Sequence, residues 1–131
     1  MGRKNSPSAN KELNELIAQY ETARAENRQL YLDGDQLADI ADQYAAGRKF
    51  NEAQEVITYG LHLHPDSTDL LVEQAYLYLD TGKIPLAKKV VESITDEYDT
   101  DVKMLKAELM LNEGQLENAR NVLDNIEDAD E

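Results

Sequence analysis

His62 and His64 are the chain's only histidines, and they stand either side of Leu63. Imidazole is the commonest metal ligand among side chains and titrates near neutral pH. Two histidines three or four apart on a helix share a face and can grip one ion, but two apart they point to different sides. Their place at the end of a helical stretch suits another role, as cations near a helix C-terminus, where the dipole favours them. The run Asp33-Gly34-Asp35 has the start of a calcium loop. Such a loop needs a carboxylate at its twelfth position, and counting from Asp33 that position is Tyr44. Helix capping is the expected role of these aspartates.

Nucleophilic chemistry lacks a candidate set. Ser6, Ser8, Ser67 and Ser93 lie outside any Gly-x-Ser-x-Gly elbow. There is no GxxxxGK[ST] phosphate loop and no dinucleotide glycine pattern. The chain has no cysteine, which excludes disulfides, thiol catalysis and Cys-based zinc sites. Carboxylates are plentiful, yet an acid–base pair works only where a pocket drives two pKa values apart. The residues therefore point to a protein that is not an enzyme, with no cofactor and no resident metal.

Charge narrows the partners. The chain carries 27 acidic against 13 basic side chains, for a net charge of −14. Phosphate binding needs clustered Lys and Arg, so nucleic acid is an unfit partner. Anionic membrane surfaces are disfavoured for the same reason. The apolar runs are only a few residues long, too short for a membrane span. The first ten residues, MGRKNSPSAN, are basic but lack the apolar stretch of a secretory signal. A cytoplasmic protein is the expected reading.

The elements that would position any site are helical throughout. Residues 1–9 are polar and read as a flexible tail. From Asn10, a plausible cap, Leu13, Leu16, Ile17 and Tyr20 recur at helical spacing, and the spacing predicts a first helix over 10–32, broken near Gly34. Leu37, Ile40, Ala41 and Tyr44 share the next helical face, ended by Gly47, where a turn would need a left-handed backbone. Phe50, Ala53, Val56, Ile57 and Leu61 follow, and Pro65 stops that helix. The same organisation recurs twice. Leu70, Leu71, Ala75 and Tyr78 precede Gly82, and Ala87, Val90, Val91 and Ile94 follow it. Val102, Leu105 and Leu109 precede Gly114, and Leu116, Ala119, Val122, Leu123 and Ile126 follow it. No stretch alternates with period two, so the fold class is all-α with seven helices.

Three alanine pairs keep time along this region. Ala41, Ala75 and Ala107 each stand twelve residues before a second alanine, at Ala53, Ala87 and Ala119, with a glycine between. The copies are 34 and then 32 residues apart. Periods of that size mark stacked helical hairpins. A small residue on both helices of a hairpin lets their backbones approach closely. Each hairpin leaves an apolar face that its neighbour covers.

Leu37, Ala41, Tyr44, Ala53 and Pro65 in the first copy, and Leu71, Ala75, Tyr78 and Ala87 in the second, resemble the pattern of the tetratricopeptide repeat. The third copy keeps Ala107 and Ala119, with Met110 in the tyrosine place and Lys103 and Lys106 where large apolar residues are usual. The first copy has its loop glycine one residue early. The resemblance implies a right-handed superhelical stack of three hairpins (34–67, 68–99 and 100–128) behind an N-terminal capping helix, with residues 129–131 frayed. It also implies a protein-interaction scaffold that binds a peptide or protein segment in a concave groove. By position, that groove would present Asp35, Ala38 and Asp42, then Asp69, Val72, Tyr76 and Leu79, then Asp101, Met104 and Glu108. Some members clamp a chaperone's C-terminal carboxylate with Lys, Arg and Asn, which the matching places here lack. A basic or apolar segment is the expected partner. A second expectation concerns the last helix, whose apolar face has no capping helix after it. Leu116, Val122 and Ile126 would then support self-association, as a homodimer or within a longer repeat protein.

Overall fold

The computed structural model describes the backbone of residues 7–129 and the side chains of residues 10–126. Among the described residues there are seven helices and no strand: α1 (Pro7–Ala25), α2 (Gly34–Ala46), α3 (Phe50–Leu63), α4 (Thr68–Asp80), α5 (Ile84–Ser93), α6 (Thr100–Asn112) and α7 (Leu116–Ala129). The chain divides into two compact units, Met1–Leu70 and Leu71–Glu131.

In the first unit, α2 packs on both α1 and α3. Leu37, Ile40 and Ile57 are fully buried, together with Ala41 and Ala53. Each large aliphatic side chain so buried contributes about 1.5–3 kcal/mol relative to exposure. Asp33 caps α2 as expected. Its carboxylate accepts the Gln36 amide at 2.9 Å, and the Gln36 side-chain oxygen accepts the Asp33 amide at 3.1 Å. Both ends of the box satisfy amides that a helix start leaves without partners. Tyr44 and Glu21 tie α2 to α1, the tyrosine hydroxyl donating to Glu21 Oε2 at 2.6 Å. Gly60, inside α3, lies against Leu70 at the start of α4. A β-carbon there would lie 2.8 Å from Leu70 Cδ1 and 3.0 Å from Cδ2.

The first helix departs from its expected limits at both ends. It includes Pro7, Ser8 and Ala9, which the sequence suggested as tail. Proline suits a first turn because that amide has no helical partner anyway. Residues 1–6, the rest of the expected tail, lie outside the described residues. The helix stops at Ala25, not near Leu32. Asn27 adopts φ 53°, and the Arg28 amide reaches back to the Ala23 carbonyl at 2.8 Å. The non-helical stretch that follows is held by α3. The Tyr59 hydroxyl donates to the Leu30 carbonyl at 3.0 Å, and His64 Nε2 bonds the Leu32 carbonyl at 2.9 Å. The helix end itself is a local closure at the left-handed Asn27, and the tertiary bonds hold the stretch beyond it.

In the second unit, Val72 and Ala75 of α4, Ala87 and Val91 of α5, Ile94, and Val102, Leu105 and Leu109 of α6 form one core. Tyr78 and Ile84 pack against it. Pro85 sits in the first turn of α5, and Asp99 caps α6 by accepting the amides of Asp101 and Val102. α6 packs on α5 and α7. Its buried residues accordingly fall on two sides, with Val102, Leu105 and Leu109 on one and Ala107 on the other.

All six of the spaced alanines are buried. The turns inside the three hairpins share a hydrogen-bond pattern, in which the amides of Lys49, Lys83 and Gln115 bond the carbonyls of Tyr44, Tyr78 and Met110 at 2.7–2.8 Å. This is the Schellman closure of a helix end, and it requires a left-handed residue. Gly82 (φ 77°) and Gly114 (φ 79°) supply it. In the first hairpin the expectation for Gly47 is corrected. Gly47 has φ −85°, and Arg48 takes the left-handed place at φ 61°. The early glycine of the first copy thus leaves an arginine at the strained position, its guanidinium 5.7 Å from the Phe50 ring centre.

Candidate functional site

The groove residues inferred from the repeat pattern fall on α2, α4 and α6, and each unit holds its own share. In the first unit, Asp35 is exposed in the first turn of α2, and Asp42 and Asp69 are half-buried. Ala38 is 1% exposed and so packs inside the unit. In the second unit, Val72 is 2% exposed and belongs to the core. Tyr76 and Leu79 lie half-buried against that core, and Asp101, Met104 and Glu108 are half-buried on α6. Ala38 and Val72 are therefore packing positions. The remaining eight residues keep some surface.

Within the second unit, α4 and α6 are brought together by their common core, and carboxylates come with them. Burial pushes the Glu108 carboxyl above its usual range, and the Asp80 charge pushes it the same way. Among the described residues, neither Asp80 nor Glu108 forms a salt bridge with lysine or arginine. A neighbouring like charge disfavours ionisation, so a cation near Glu108 would be favoured by its carboxylate and by the Asp80 charge. Sequence spacing did not single out Asp80. It stands at the last position of α4, which shares a core with α6, and its charge reaches Glu108.

The last helix presents the other surface. Ala119 is buried, but Leu116 is 66% and Leu123 39% exposed, and Val122 and Ile126 are half-buried. Most apolar side chains of this size lie inside.

The two histidines are placed differently by the fold. His62 is exposed in the last turn of α3, while His64 follows the helix, bonded to Leu32 and edge-on to the Tyr31 ring at 5.4 Å. Among the described residues, no group of three His, Asp or Glu side chains could hold a metal ion. No helix among them is long and apolar enough to cross a membrane.

A match to the Tetratricopeptide repeat family spans residues 44–109, half of the chain. It runs from Tyr44 of α2 to Leu109 of α6, taking in the Ala53, Ala75, Ala87 and Ala107 positions. None of the curated proteins and none of the solved structures matches the chain. Repeats of this family generally mediate protein–protein interaction and are typically non-enzymatic. With the paired helices, the buried alanine pairs and the repeated Schellman turns, the match establishes that the chain belongs to the tetratricopeptide repeat family.

Proposed function

We propose that this protein is a non-enzymatic, cytoplasmic scaffold that holds a basic segment of another protein against the first helices of its hairpins. The observation that carries this reading is Glu108, half-buried on α6 and raised in pKa by burial and by the Asp80 charge, with neither carboxylate in a salt bridge to lysine or arginine among the described residues. Tyr76, Leu79 and Met104 supply half-buried apolar surface on the same two helices. A lysine or arginine has the matching form, because its aliphatic stem covers apolar surface while its charged head reaches carboxylates. The net charge of −14 adds long-range attraction for such a segment.

Selection from a random peptide library displayed on phage tests this directly. Enriched peptides should be rich in Lys and Arg interleaved with apolar residues. Asp80→Lys with Glu108→Lys should abolish their capture, and so should Tyr76→Ala with Met104→Ala, while helicity stays intact. Enrichment of acidic peptides, or unchanged capture by both variants, would sink the groove assignment.

The exposure of Leu116 and Leu123 favours a second reading, in which α7 mediates self-association to a homodimer. Sedimentation equilibrium over a range of concentrations distinguishes the two. A dimer abolished by Val122→Glu or Ile126→Glu supports this reading, and a monomer at every concentration removes it.

A further inference from the structure

A cavity of about 320 Å³ lies at the C-terminal end of α1, wholly within the first unit. Its lining includes two arginines, Arg24 and Arg28, two amides, Asn27 and Gln29, and the rings of Tyr20 and Tyr59. The lining contains no acidic residue, in a chain where acids outnumber bases 27 to 13. We propose that this cavity binds a small organic carboxylate carrying an aromatic or branched apolar body.

Three features support it. Tyr20 is 95% buried, taking its 5% exposure from the whole, and among the described residues its hydroxyl has no hydrogen-bond partner. A buried donor left in that state is costly, and an acceptor supplied by a ligand would remove the cost. The guanidiniums are held loosely. Arg24 Nη2 meets Glu55 Oε2 at 3.2 Å and Arg28 Nε meets Glu26 Oε2 at 3.6 Å, each pair about half exposed. Such surface pairs contribute little, so a ligand carboxylate can exchange for them. It can also take the two-pronged contact that guanidinium offers to planar anions.

The walls are already formed. The Asn27 and Arg28 amides close the end of α1 on the carbonyls of Arg24 and Ala23, and Tyr59 fixes the backbone at Leu30. The Tyr20 and Tyr59 rings stand 6.5 Å apart and tilted, and with Ala23 and Leu30 they offer the apolar side. A volume at the low end of ligand pockets suits a molecule of about ten to fifteen non-hydrogen atoms.

Titration with 3-phenylpropionate, followed by two-dimensional amide NMR, tests the site, with 3-phenylpropylamine as the cationic control. The acid should shift the amides of residues 23–30 and 59 saturably, and the amine should not. Arg24→Gln and Arg28→Gln should each weaken binding about tenfold, the loss of one charge-assisted bond. Tyr20→Phe should weaken it severalfold with the fold retained. Shifts scattered over the surface, equal response to the amine, no saturation, or unchanged affinity in the Arg24→Gln, Arg28→Gln double variant would each overturn the proposal.

Discussion

Gly60→Ala should destabilise the first unit, although alanine is the better helix former. Inside an exposed helix the change would stabilise by about 1 kcal/mol. Gly60, however, is buried in α3, and a β-carbon would lie 2.8 Å from Leu70 Cδ1, 3.0 Å from its Cδ2 and 3.4 Å from Leu37 Cδ1. Carbon atoms prefer a separation of about 3.5–4.0 Å, so the leucine must retreat by roughly 0.5–1 Å. Leu70 and Leu37 have no exposed surface into which to move. Overpacking of this kind costs about 1–3 kcal/mol. The balance is a net loss of about 1 kcal/mol, a fall in Tm of roughly 2–8 °C. Gly47→Ala is the natural contrast. Its φ is negative and its nearest neighbours would be carbonyl oxygens at 3.6 and 3.8 Å, ordinary contact. That alanine should stabilise by about 0.4–1 kcal/mol, chiefly by restricting the unfolded chain. Urea and thermal unfolding followed by circular dichroism at 222 nm measure both. Adding Leu70→Val to Gly60→Ala should recover part of the loss, a coupling that two independent substitutions would not show. A Gly60→Ala protein as stable as the parent, or no coupling to Leu70→Val, would refute the packing argument.

Three further outcomes follow from the same geometry. Tyr44→Phe should cost about 1–2 kcal/mol, since it removes a hydrogen bond to the Glu21 carboxylate. Burial, then the Glu21 contact, raises the Tyr44 pKa above its ordinary 10.0. The folded state therefore holds this proton more tightly than the unfolded state. The associated stability is complete below about pH 10 and lost as pH rises beyond it, and denaturation curves from pH 7 to 11 should flatten in Tyr44→Phe. Glu108 has a raised pKa too, so its contribution is present at low pH and lost as pH rises through the folded value; Glu108→Gln should stabilise at pH 7 and make little difference at pH 3 in urea melts. Asp33→Ala should lose about 1 kcal/mol with the cap of α2, and Asp33→Asn should retain most of it, again by thermal unfolding.

Much of the repeat architecture was readable from local chemistry. The alanine pairs mark positions where a large side chain could not fit, and all six are buried. Asp33 caps α2 as its sequence suggested, because capping depends on one side chain and the few amides beside it. Gly82 and Gly114 take left-handed backbone because a Schellman turn demands it locally. Other features were settled only by tertiary structure. The path after α1 is held by bonds from Tyr59 and His64, thirty or so residues away in sequence, which keep Leu30 and Leu32 non-helical beyond the local closure at Asn27. Arg48 rather than Gly47 is left-handed because the second helix of the hairpin fixes where the turn must fall, whichever residue occupies it. Ala38 and Val72 carry the spacing of a groove, yet packing buries them. The Asp80 charge acts on Glu108, and Tyr59 closes the cavity beside Tyr20 and Arg24, only through the approach of separate segments. Capping and periodicity act within a few residues along the chain, so the amino-acid sequence by itself determined the helices and their repeat. Electrostatic neighbours and cavities depend on which helices meet, and that was decided by the packing of the two cores.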